Sequence, residues 1–84
     1  MSKEEILARV IDLMAESFGI EPAAILPTAH LFDDLDLDSI DAIDLVVGLE
    51  EEIGLQVAED ELRKIELVQD IVDLVHRALV NHSG

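Results

Sequence analysis

Three runs of apolar residues at helical spacing, separated by glycine and proline stops, leave this 84-residue chain few ways to bury a core except as helices packed side by side. In the first run Ile6, Leu7, Val10, Ile11, Met14 and Phe18 fall on one face. Ser2 and Glu5 precede it with the pattern of a capping box, and Gly19 and Pro22 follow it as stop signals. The spacing predicts a helix over 3–18. A second helix is expected from Asp38 or Ser39 to about Ile53, with Asp38 as its N-cap, Asp41 in its first turn and Gly54 just past its end. The last should cover Val68 to Val80 on a stripe of Val68, Ile71, Val72, Val75 and Leu79. Its start reads as weakly capped, because Glu66 and Leu67 stand where Ser or Thr is favoured.

Two connections remain. Residues 55–66 leave room for a minor helix around Glu59 to Lys64. Residues 19–37 form a long connection with Pro22 and Pro27, and a loop of that length in so small a domain must be packed or functional. Ile25, Leu26, Leu31, Phe32, Leu35 and Leu37 are expected to pin it across the helices, with one short turn near Pro22 to Ile25. No strand-like alternation appears. The expected fold is all-α: a four-helix bundle of three main helices, one short helix and a long first loop, in a single domain over 1–84.

Charge narrows the function. Twenty Asp and Glu oppose five Lys and Arg, for a net charge of −15. Such a surface repels phosphate backbones and anionic membranes, which argues against nucleic-acid binding. No apolar run approaches the length of a membrane span, and no secretory signal is present, so the expected location is the cytoplasm. The chain has no cysteine, hence no disulfide, thiolate metal site or thiol nucleophile of its own. Half its residues are apolar, which marks it as globular rather than disordered.

The second helix concentrates the unusual features. Ala42, Leu45, Val46, Leu49 and Ile53 form a stripe suited to the core. Ile40, Ile43 and Val47 form another, offset from it. Asp33, Asp34, Asp36, Asp38, Asp41, Asp44, Glu50, Glu51 and Glu52 occupy the same region without a single Lys or Arg. Acids alternating with an outer apolar stripe suit a basic, apolar groove on a partner. Ser39 stands directly after Asp38, the expected N-cap. It lacks the glycines of a nucleophile elbow, so a hydrolytic serine is rejected. It is either a helix-capping serine or one that bears a phosphate or phosphodiester, which a helix N-terminus stabilises. Asp34, Asp36 and Asp38 open like a calcium loop, but Ser39 and Leu45 then stand where glycine and a bidentate glutamate are required. His30, His76 and His82 lack metal-ligand spacing and read as surface or boundary residues. No metal site and no catalytic residue is expected.

The run Asp38-Ser39-Ile40-Asp41-Ala42-Ile43-Asp44-Leu45-Val46, with Leu49-Glu50-Glu51-Glu52-Ile53-Gly54 after it, strongly resembles an acyl carrier protein. The likeness extends to Leu31 and Phe32 in the long loop and to Val68-Gln69-Asp70-Ile71 at the last helix. The resemblance implies a four-helix bundle whose interior can shelter an acyl chain. It implies that Ser39 receives 4′-phosphopantetheine from coenzyme A through a phosphopantetheinyl transferase, and that the chain is a carrier rather than an enzyme. It further implies that Asp38, Asp41, Asp44, Glu50 and Glu51, with Ile40, Ile43 and Val47 between them, meet basic patches on ketosynthase, ketoreductase, dehydratase and acyltransferase-type enzymes, the free carrier being a monomer. Ile40 where Leu is common, the short Val47, and Gly48 interrupting the second helix depart from many fatty-acid carriers. Leu35 to Asp44 looks like carriers of specialised type II pathways such as aryl polyene or related polyketide clusters, alongside housekeeping fatty acid synthesis. The alternatives are a peptidyl or aminoacyl carrier and an acidic helical adaptor without a prosthetic group.

Overall fold

A computed structural model of the protein describes residues 1–82, with the side chains of residues 59, 81 and 82 left aside. Residues 83 and 84, which the expected domain span includes, and the His82 side chain lie outside the described residues. Among the described residues four helices follow in order: α1 (Lys3–Phe18), α2 (Ser39–Ile53), α3 (Glu59–Leu62) and α4 (Val68–His82). A single 3₁₀ turn, Pro22–Ala24, breaks the long loop where proline sets the backbone. The boundaries of α1 and α2 agree with those read from their caps and stops. Glycine is required at both ends: Gly19 and Gly54 adopt left-handed φ values of 66° and 83°.

The capping box of α1 is complete. The Glu5 N–H donates to Ser2 Oγ at 3.2 Å and the Ser2 N–H to Glu5 Oε1 at 3.1 Å. The backbone N–H of Ser2 therefore holds the Glu5 carboxyl below its ordinary pKa.

α1 packs against both α2 and α4. Ile6, Val10 and Met14 from α1 meet Ala42, Leu45, Val46 and Leu49 from α2 and Val68, Ile71, Val72 and Val75 from α4, all fully or nearly fully buried. At roughly 1.5–3 kcal/mol for each large aliphatic side chain, this shared core is the main source of stability. Lys3 on α1 is 3.1 Å from Asp73 on α4, and Arg9 is 2.8 Å from Glu52 at the end of α2. These exposed pairs orient the helices more than they stabilise them. The Gln69 amide, and after it Lys3, hold the Asp73 carboxyl below its ordinary pKa.

The long loop is pinned largely as expected. Ile25, Leu31, Leu35 and Leu37 are buried and Phe32 partly so, but Leu26 is 55% exposed and contributes no anchor. Backbone bonds complete the attachment. The Leu31 N–H donates to the Glu66 carbonyl at 2.8 Å, and Val68 and Gln69 at the start of α4 donate to the carbonyls of Ala29 and Pro27 at 3.1 and 3.0 Å. The resulting His30–Leu67 bridge is the one β-type pairing among the described residues.

These bonds correct the reading of a weakly capped α4. Asp70 reaches back to accept the N–H groups of Leu67 and Glu66 at 2.9 and 3.0 Å. The orphan donors of the first turn thus go to an internal carboxylate and to the loop. A second correction concerns Gly48, which does not interrupt α2. The helix runs through it, and Leu13 of α1 lies against the position its missing side chain would occupy. No helix among the described residues is long and apolar enough to cross a membrane.

Candidate functional site

The start of α2 is built by a reciprocal pair of aspartates. Asp38 Oδ1 accepts the Asp41 N–H at 2.9 Å, and Asp41 Oδ2 accepts the Asp38 N–H at 3.2 Å. An Asp at the third helical position thereby does what Glu does in the usual capping box. Ser39 follows the cap as the first helical residue, is exposed, and its hydroxyl makes no hydrogen bond among the described residues. Of the two ordinary readings of this serine, capping is therefore taken by its neighbours.

Before the cap, Asp36 sits in the left-handed region at φ 59°, a conformation aspartate tolerates better than most residues. Leu35 and Leu37 on either side of it are both buried, and the Leu37 N–H donates to the Leu31 carbonyl at 3.0 Å. Ser39 is thus presented by a segment anchored two residues upstream, not by a free loop.

A cleft of about 330 Å³ opens beside Ser39. Phe32, Ala42, Ile43, Leu62 and Ile65 form its apolar lining, and Arg63 and Glu66 add charge. His30 fixes Phe32 at this wall: its Nδ1 accepts the N–H groups of Phe32 and Asp33, both at 3.2 Å, and its ring meets the Phe32 ring edge-on at 5.6 Å. The Asp33 carboxylate lies 3.8 Å from the same nitrogen. His30 is thus a loop organiser. The boundary position read for His30 agrees with its partial burial, but its tie to Phe32 and the place of Leu62, Arg63, Ile65 and Glu66 in the cleft were not read from the sequence. The apolar spacing of Leu62 and Ile65 was the signal available for the far wall.

Along α2 the outer stripe is on the surface: Ile40, Ile43 and Val47 are 67%, 42% and 40% exposed. The acids around it divide into two groups. Asp38 and Asp41 serve the cap, and Glu50 Oε2 accepts the Val57 N–H at 2.8 Å, tying the connection after α2 to the helix. Asp44 and Glu51 are exposed and have no such partner among the described residues. No cluster of metal-ligating side chains is found among the described residues.

The Ser39 hydroxyl thus stands at a helix N-terminus and at the edge of an apolar cleft, without a hydrogen-bond partner among the described residues. Comparison with known proteins identifies the family. Residues 8–76 match the family described as the phosphopantetheine attachment site. An acyl carrier protein 2 of Ralstonia nicotianae is 42% identical over 94% of this chain and 98% of its own. An acyl carrier protein of Lactobacillus acidophilus is 37% identical over the full length of both. The crystal structure of an acyl carrier protein from Thermotoga maritima superposes with a TM-score of 0.86 at 30% identity, covering 98% of this chain and 95% of that one. The chain belongs to the acyl carrier proteins, non-catalytic carriers of acyl groups on 4′-phosphopantetheine that are loaded by a phosphopantetheinyl transferase and serve biosynthetic enzymes.

Proposed function

We propose that Ser39 is the residue that bears 4′-phosphopantetheine. The observation that supports this is the division of labour at the start of α2, where Asp38 and Asp41 provide the cap and leave the exposed Ser39 hydroxyl unbonded beside an apolar cleft. When attached, the arm supplies the thiol that this cysteine-free chain lacks, and acyl groups are carried on it as thioesters. The chain's own residues hold the attachment point at the α2 N-terminus and offer the lining of Phe32, Ala42, Ile43, Leu62 and Ile65 to shield part of an acyl chain from water.

Partner enzymes read the outer face of α2. Ile40, Ile43 and Val47 supply apolar contact, and Asp38, Asp41, Asp44, Glu50 and Glu51 supply the charge that attracts basic patches on the transferase and on ketosynthase, ketoreductase, dehydratase and acyltransferase-type enzymes. The carrier acts as a monomer in the cytoplasm, as a single domain over residues 1–84. It serves type II fatty acid synthesis or a specialised polyketide pathway of the aryl polyene kind. The adaptor reading and the peptidyl or aminoacyl carrier reading are not favoured by the acyl carrier relatives.

Intact mass after incubation with coenzyme A and a promiscuous transferase tests the site. The wild type should gain one pantetheine phosphate and Ser39→Ala none; a variant that still gains it would refute the assignment.

A further inference from the structure

Among the described residues, the Arg63 side chain at the cleft beside Ser39 has no partner. Of the chain's five Lys and Arg, Lys3, Arg9 and Arg77 lie 3.1, 2.8 and 2.9 Å from Asp73, Glu52 and Glu61. The Arg63 and Lys64 side chains, immediately after α3, form neither an ion pair nor a hydrogen bond among the described residues, although the backbone N–H of each donates to the Glu61 carbonyl. Their surroundings differ. Lys64 borders a separate depression with Glu61, Asp70 and Asp73, whereas Arg63 borders the cleft that also contains Ser39. Glu66 lines that cleft too, without pairing with Arg63. In a chain of net charge −15, a guanidinium with no acid bound to it, against walls of Phe32, Ala42, Ile43, Leu62 and Ile65, is available to something from outside the chain.

Building on the assignment of Ser39 as the arm-bearing residue, we propose that Arg63 binds an anionic oxygen group tethered at Ser39. A guanidinium presents paired donors that match a phosphate or a carboxylate. Two parts of a loaded carrier have this chemistry: the phosphodiester of the arm, and a carboxylate at the far end of a dicarboxylic acyl cargo. The acids of α2 repel either one, and Arg63 offsets that repulsion at this cleft. A purely alkyl cargo has no anionic oxygen for the guanidinium and would meet only the apolar walls.

The test is the NMR signal of the Arg63 side-chain Nε–H in the full chain, in the apo, free-thiol, butyryl-loaded and succinyl-loaded forms, each verified by intact mass. Displacement between the apo and free-thiol forms, unchanged by cargo, identifies the phosphodiester. Displacement only in the succinyl form identifies the cargo carboxylate. Either result supports the proposal, and in either case Arg63→Gln should abolish the matching displacement of the backbone amides of residues 62–66, while Lys64→Gln retains it. A signal that stays in place in every loaded form, or moves equally with butyryl and succinyl alone, overturns it. A wild type that gains no arm, or gains it away from Ser39, is recognised by mass before any spectrum is recorded and removes both this proposal and the Ser39 assignment.

Discussion

Asp38 and Asp41 cap one another across the first turn of α2, with their carboxylates accepting each other's backbone N–H at 2.9 and 3.2 Å. The serine between them is thereby released from a structural task that serines at helix starts usually perform. Stability and loading should separate cleanly as a result. Ser39→Ala is expected to change unfolding free energy by less than about 0.5 kcal/mol, in the range of ordinary surface substitutions. Asp38→Ala should cost about 1 kcal/mol. Urea unfolding of the two variants checks this, and equal losses would mean that the hydroxyl caps after all.

Asp70 carries the equivalent burden for α4, accepting the N–H groups of Glu66 and Leu67. Its replacement by alanine removes the acceptor of both donors, of which the Leu67 N–H is partly buried, next to the cleft wall formed by Ile65 and Glu66. A loss of about 1–2 kcal/mol is expected. Hydrogen exchange at residues 66 and 67 should quicken in the variant, and unchanged protection there would count against the capping role.

Gly48 lies inside a continuous α2, and an added methyl group would sit 3.7 Å from Leu13, an ordinary contact distance. Gly48→Ala should therefore raise stability, by up to about 1 kcal/mol from helix propensity. Destabilisation in thermal unfolding would instead show that the α1–α2 packing has no room for the methyl group.

Docking should depend on which acid is changed, not merely on how many. Asp44 is exposed, without a partner among the described residues, and close in sequence to Ile43 and Val47. Asp44→Lys is expected to slow association with the transferase or a cognate ketosynthase roughly three- to tenfold at low salt, with the difference shrinking as ionic strength rises. Asp12, exposed on α1, is a suitable matched reversal, whereas Asp73 is unsuitable because it binds Lys3 and Gln69. Equal effects of the Asp44 and Asp12 reversals would reduce the interaction to net charge.

How much of this was legible in the sequence followed the range of the interactions. Caps, stops and apolar spacing are local, so the ends of α1 and α2, the buried Ala42–Leu49 stripe and the exposed Ile40–Val47 stripe could be read directly. The start of α4 could not. Its N–H groups are satisfied by the carbonyls of Pro27 and Ala29, about forty residues away along the chain, and by an aspartate three positions inside the helix. The cleft wall from Leu62 to Glu66 was hidden for the same reason, since it exists only where the segment after α3 folds against α2 and Phe32. Gly48 misled because propensity is a weak prior against tertiary packing.

The arm should be attached at Ser39 and nowhere else. Ser2, Ser17, Ser83 and Thr28 are the other aliphatic hydroxyls of the chain, and among these Ser2 is engaged as the cap of α1. Fragment mass spectrometry of the transferase-loaded wild type locates the modification among them. Every phosphopantetheine-bearing fragment should contain Ser39, and the fragments isolating it should carry the added mass. The arm on any other hydroxyl, with Ser39 unmodified, would contradict it.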